Sequence, residues 1–192
     1  MTRDQLLAAV RVYSNRPNLP LSDFLIMLQT VEGKLNKELR DHPRNIRREA
    51  IEMPDDSGLL PLPDDLARII SVFDDTGTYR QYPPSVPPED MERGYIQRGD
   101  VLQLTPVPAA GAEIGLDYHA YLSSLTNAES ENWLSRYHAD VYLYACLIEV
   151  AVYVKDDARL QAWQQEFLLR LSALKVQGWD QNVASSPRPK LR

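Results

Sequence analysis

Apolar and polar positions along this 192-residue chain fall into two regimes, a helical period near both ends and a two-residue alternation in the middle. Residues 141–154, VYLYACLIEVAVYV, carry a single charge, Glu149. A helix so uniformly apolar has no solvent face and must be enclosed by protein. At about 1.5 Å per residue it is also too short to cross a bilayer. Lys155-Asp156-Asp157 interrupts the run, and either aspartate can cap a following helix. Beyond it Leu160, Trp163, Phe167, Leu171 and Leu174 recur at three- and four-residue steps, with Gln161, Gln164, Glu166 and Arg170 on the opposite face. Burying a dozen such side chains at roughly 1.5–3 kcal/mol each contributes on the order of 20–30 kcal/mol before entropy. This hairpin is expected to be the core.

The N-terminal segment repeats the helical pattern. Thr2 or Asp4 can start a helix that sets Leu6, Leu7, Val10 and Tyr13 on one face, and Asn15-Arg16-Pro17-Asn18 ends it. Ser22-Asp23 opens a second, with Phe24, Leu25, Leu28, Val31, Leu35 and Leu39 inward and Glu32, Lys34, Lys37, Glu38 and Arg40 outward. His42-Pro43 stops it. Strand patterns follow. Residues 46–53, 66–73, 78–82, 95–97, 101–105 and 112–122 read as strands, with turns at Asp74-Asp75-Thr76-Gly77 and Arg98-Gly99-Asp100. Residues 60–63 are proline-punctuated, and YPPSVPP at 82–88 sustains neither a helix nor a central strand.

Helices flanking a strand-rich insertion predict an α+β fold, mainly an α-helical bundle with an inserted antiparallel β-sheet extension. The expected parts are a helical core from 1–44 and 127–178, a β-rich insertion with its proline-rich loop at 45–126, and a flexible tail at 179–192. That tail has few large apolar groups and carries Arg188, Lys190 and Arg192.

Composition narrows the function classes. A formal net charge of −6 argues against a sequence-wide nucleic-acid binder. The one cysteine, Cys146, lies in the apolar helix, so no intramolecular disulfide forms and a reducing compartment fits. No apolar run of the signal-peptide kind follows Met1, and no membrane span is expected.

Candidate chemistry is sparse. Asp75-Thr76-Gly77 matches the catalytic triplet of aspartic proteases, but that reaction needs two carboxylates sharing a proton. A hairpin turn accounts for the triplet without it. His42, His119 and His138 have no His-x-x-x-His spacing, Cys146 has no thiolate-stabilising neighbour, and Glu149 is a lone buried-helix charge open to pairing with an arginine or a tyrosine hydroxyl, or to facing another subunit. With no glycine-rich phosphate loop either, neither enzyme activity, nor a cofactor, nor a metal is expected.

Asn132-Trp133-Leu134, followed by Asp140-Val141-Tyr142-Leu143-Tyr144-Ala145 and then Tyr153-Val154-Lys155-Asp156-Asp157-Ala158-Arg159, resembles the C-terminal signature of the bacteriophage adaptor family, the head-to-tail connectors of short-tailed phages. Leu147, Glu149, Ala151 and Trp163 fall where that pattern expects them. Residues 24–40, Leu62-Pro63-Asp64-Asp65, Leu104-Thr105-Pro106 and residues 116–121 are similar to further family elements. Cys146 and the long proline-rich segment depart from the pattern.

The resemblance implies a structural virion protein, commonly a dodecameric ring, that binds the portal vertex after genome packaging and seats the tail. It implies as partners the portal protein, other copies of itself, and tail or nozzle proteins, with genome DNA passing through without sequence-specific binding. Its place is the virion neck, after assembly in the host cytoplasm. Trp133, Tyr142, Tyr144, Leu147, Glu149, Trp163 and Phe167 are expected to form the scaffold. Trp179, Arg188, Lys190, Leu191 and Arg192 are the expected portal-docking tail. The alternatives are a tail-tube or minor tail component, or a virion-associated hydrolase using Asp75 or Glu149.

Overall fold

The computed structural model describes residues 1–86 and 92–185, the last eight of these as backbone only. The chain divides into two units, one made of residues 1–44 with the segment from Leu122 onward, the other of Asn45–Tyr121.

The first unit is helical: α1 (Arg3–Tyr13), α2 (Leu21–Glu38), α3 (Trp133–Tyr137), α4 (Ala139–Val154) and α5 (Asp157–Ser185). Local chemistry explains the ends. The Thr2 side chain accepts the Gln5 N–H while the Gln5 side chain accepts the Thr2 N–H, a reciprocal cap on α1. Lys155 turns left-handed at φ 56° to close α4, and Asp156 then accepts the Arg159 N–H at 3.2 Å to start α5. The core gathers Leu6 and Val10 of α1, Phe24, Val31 and Leu35 of α2, Tyr142 and Leu147 of α4, and Leu171 and Leu174 of α5.

Five positions depart from the periodic reading. Tyr13 of α1 and Leu25 of α2 are exposed, as are Val152 and Tyr153 at the end of α4. That helix is therefore enclosed over most of its length and open at its last turn. Glu32, on the expected polar face of α2, is buried instead, because its carboxylate accepts the Leu125 N–H at 2.7 Å. α5 also continues past Trp179 to Ser185, into the segment expected to be a tail; residues 186–192 lie outside the described part.

The second unit is one seven-stranded sheet: β1 (Ile46–Glu52), β2 (Leu59–Pro61), β3 (Leu66–Asp74), β4 (Gly77–Gln81), β5 (Gly94–Arg98), β6 (Val101–Thr105) and β7 (Glu113–Ala120). The strand order is β1-β7-β3-β4-β5-β6-β2. β3 and β7 pair antiparallel, with register shifts between Leu66 and Arg68 and between Ile69 and Ser71. One face buries Leu60, Val72, Tyr79, Leu102, Leu116 and Tyr118 among others. Elsewhere on the sheet aromatic rings lie on bare backbone. A Cβ on Gly115 would sit 2.3 Å from the Phe73 ring, and one on Gly94 would sit 2.4 Å from the Tyr82 ring. Arg48 and Arg80 stack over those two rings, at 5.2 and 5.6 Å from their centroids.

The expectation of a mainly helical bundle with an antiparallel extension is corrected on both counts. The fold is mixed, 43% helix and 24% strand, and the sheet buries an apolar core of its own. It is not purely antiparallel, because β4 and β5 run parallel through Arg80–Gly94 and Gln81–Tyr95. A parallel pair needs a long crossover, and the proline-bearing connection after β4 supplies the length. Among the described residues no helix is long and apolar enough to cross a membrane.

Candidate functional site

The signature residues converge in the helical unit. Asn132 caps α3 by accepting the Ser135 N–H at 2.9 Å, and its amide nitrogen donates to the Ser123 carbonyl at 2.8 Å and to the Tyr142 hydroxyl at 2.9 Å. The Asn-Trp-Leu element is thus a five-residue helix start pinned to α4. Trp133 stacks on His42, ring centroids 4.8 Å apart, and meets His138 edge-on at 6.2 Å. Arg44 closes over the same indole at 5.8 Å and over Tyr137 at 4.9 Å.

Along α4 each polar signature residue meets a partner from another helix. Asp140 pairs with Arg170 of α5 at 2.9 Å, and that guanidinium lies 4.3 Å above the Tyr144 ring while also pairing with Glu166. Glu149 pairs with Lys34 of α2 at 2.5 Å. Tyr142 and Leu147 are fully buried, whereas Trp133, Tyr144, Trp163 and Phe167 are partly so. Arg159 reaches over the Trp163 ring at 6.0 Å and donates to the Ser14 carbonyl at 3.1 Å, tying α5 to the end of α1. Of the expected docking residues, Arg188, Lys190, Leu191 and Arg192 lie outside the described residues, and Trp179 is described only in its backbone.

Burial pushes the Cys146 thiol well above its ordinary value, so it stays protonated and unreactive at neutral pH. Burial likewise raises Tyr142. Glu32 is raised by burial, against the lowering effect of the Leu125 N–H and Ser124. Glu32 is the residue that pattern reading missed. Its helical position gave no signal, since what buries it is a loop nearly a hundred residues away in sequence.

Between α2, α4 and α5 runs a groove of about 400 Å³ floored by Val31, Leu35, Ala145, Ile148, Phe167 and Leu171. The Lys34–Glu149 pair rims it, as does Glu38, itself bonded to Lys175 at 2.5 Å. At the groove's edge and beyond it α5 leaves Leu168, which also lines the groove, Leu169 and Val176 about 60–65% exposed.

In the sheet unit, Asp75 of the protease-like triplet is an exposed turn residue. The structured carboxylate is its neighbour Asp74, which accepts from the Thr76 N–H and hydroxyl, both at 2.7 Å, from Tyr79 at 2.8 Å and from Arg93 at 2.5 Å. Burial alone would raise Asp74, but these bonds outweigh it and hold the carboxyl well below the usual range. Such a group is fixed in charge and shape, as turn chemistry requires. No group of three or more metal-ligating side chains occurs among the described residues.

The family model of the SU10 adaptor protein matches residues 1–189. The chain belongs to the SU10 adaptor protein family. That is a phage adaptor family, which makes the protein a structural component of the virion that contacts other virion components. No curated protein matches the chain. In this adaptor the signature positions meet one another and their neighbours inside the helical unit, Asn132 with Tyr142, Asp140 with Arg170 and Glu149 with Lys34.

Proposed function

We propose that this adaptor assembles as a ring on the portal vertex after genome packaging and provides the seat for the tail. The family match across residues 1–189 carries the reading. Two features agree with it: the ion-paired helical frame, and the apolar face that α5 leaves open at Leu168, Leu169 and Val176. A ring needs unlike surfaces on each copy to meet head to tail and close by rotation.

The C-terminal segment with Arg188, Lys190, Leu191 and Arg192 docks on the portal protein. Each segment need contribute only a few kcal/mol, because ring closure makes the later contacts intramolecular and raises avidity steeply. The net charge of −6 keeps separate copies soluble and mutually repelling until the portal gathers them. Genome DNA passes through the ring without base-specific contacts. Electron microscopy of the purified adaptor mixed with its portal protein tests the reading. Ring density capping the portal is expected, and portals left bare at saturating adaptor would refute it.

A further inference from the structure

We propose that His42 operates an acid-released clasp, holding the end of the chain's first helical segment against α3 and α5. The clasp goes beyond the ring reading and does not depend on it. It stands on three contacts of one imidazole that is only 7% exposed. The ring stacks on Trp133, centroids 4.8 Å apart and planes 19° from parallel. Its Nδ1 accepts the Arg44 backbone N–H at 3.2 Å. Its other nitrogen, Nε2, faces the Leu174 carbonyl of α5 without a well-formed hydrogen bond.

These contacts select one neutral tautomer, with the proton on Nε2 and the lone pair on Nδ1. A second proton can bind only at Nδ1. There it meets the Arg44 N–H head-on, because the acceptor has become a donor. The Arg44 amide must then turn away, and the 3-10 turn Pro43–Asn45 opens with it.

The charges around the ring do not compensate that proton. On its own segment lies the Arg44 guanidinium, while Arg40 and Asp41 occupy one another at 3.7 Å. From the α3–α4 junction His138 meets Trp133 edge-on, and Asp140 is engaged by Arg170. Arg136 of α3 pairs with Glu131, and on α5 Lys175 pairs with Glu38. The nearest uncompensated charges are therefore positive. Consistently, burial first, and then Arg44 and His138, hold His42 below the ordinary histidine range, against the raising effect of Leu174. His138 is lowered too, by burial and then Arg44, against Asp140. A folded value below the unfolded one means that this stabilisation is complete above about pH 6.5 and is lost as pH falls through the folded value.

The test is amide exchange of the full chain by NMR from pH 7.5 to 5.0, corrected for intrinsic rates, in the natural protein and in His42→Asn. The asparagine amide oxygen can replace Nδ1 as acceptor but does not titrate. Arg44 protection is expected to fall about tenfold or more in the natural protein, with α4 amides unchanged, and to stay within about twofold in His42→Asn. Equal profiles in the two proteins would overturn the clasp. Should the variant not fold, the natural protein decides alone: Arg44 exchange must rise with the midpoint of the His42 Cε1–H titration, and different midpoints or unchanged exchange overturn it. His138→Gln, which removes a like charge, should move that midpoint upward.

Discussion

The amide of Asn132 donates to the hydroxyl of Tyr142 at 2.9 Å. That bond joins the first half of the adaptor signature to the second, and it depends on Asn132 being the cap of α3 at the same time. Replacing Asn132 by Ala removes the cap and leaves the Ser123 carbonyl and the Tyr142 hydroxyl without their donor. The expected loss is about 2–4 kcal/mol, read by urea unfolding. Tyr142→Phe, which removes the hydroxyl but keeps the ring, should cost about 1 kcal/mol. Equal effects from the two variants would show that the cap contributes nothing.

Gly115 has a different role: it is a floor for an aromatic ring. Because a Cβ there would lie 2.3 Å from the Phe73 ring, Gly115→Ala should destabilise the sheet unit by about 1–3 kcal/mol. Combining it with Phe73→Leu should recover part of that loss, since the smaller side chain can move off the new methyl. Strict additivity in this double-mutant cycle would mean that the two side chains do not meet.

Acid sensitivity should appear in the sheet unit through Asp74. Its carboxyl is held low in the fold, so its stabilisation is full above about pH 4 and is lost as pH falls below that. Asp74→Asn should be about 1–3 kcal/mol less stable at pH 7, and the gap should close toward pH 2. A gap that is constant with pH would assign the effect to shape rather than charge.

Glu149, the one charge of the apolar α4 run, should matter little to stability. Its partner Lys34 is 62% exposed, which leaves the pair well screened. Glu149→Gln is expected to change unfolding free energy by less than about 1 kcal/mol. A loss above about 3 kcal/mol would mean that the carboxylate, already only 17% exposed, acts as a fully desolvated partner of Lys34.

Truncation tests the tail. Deleting residues 183–192 removes only the last three described residues of α5 and the segment beyond. The melting temperature should hardly change, while capture on immobilised portal protein should be lost. Unchanged capture would remove the tail from the docking account.

The long elements were legible because their evidence is local. A three- to four-residue apolar period reveals α2 and the first half of α5, a continuous apolar run reveals α4, and alternation reveals β7. β2 was not legible, since Leu59–Pro61 is three residues long, ends in proline, and is a strand only because β6 pairs with it. Glu32 illustrates the same gap from the other side. A carboxylate at a polar helical position gives no sign of burial until the loop at Leu125 brings a backbone donor to it.

By itself the sequence determined α1, α2, α4 and the first part of α5, most of the strands, the order of helical ends around a strand-rich middle, and the adaptor signature; it gave neither the short α3 nor the extension of α5 past Trp179. Each of the former is written in residues near one another along the chain, where period and turn chemistry act. Only the tertiary structure decided that β4 and β5 run parallel, that the sheet holds a core of its own, that Asn132 reaches Tyr142, and that His42 lies flat on Trp133. Those are pairings between distant segments, selected by which apolar faces can be buried together, and no short stretch of sequence encodes its partner.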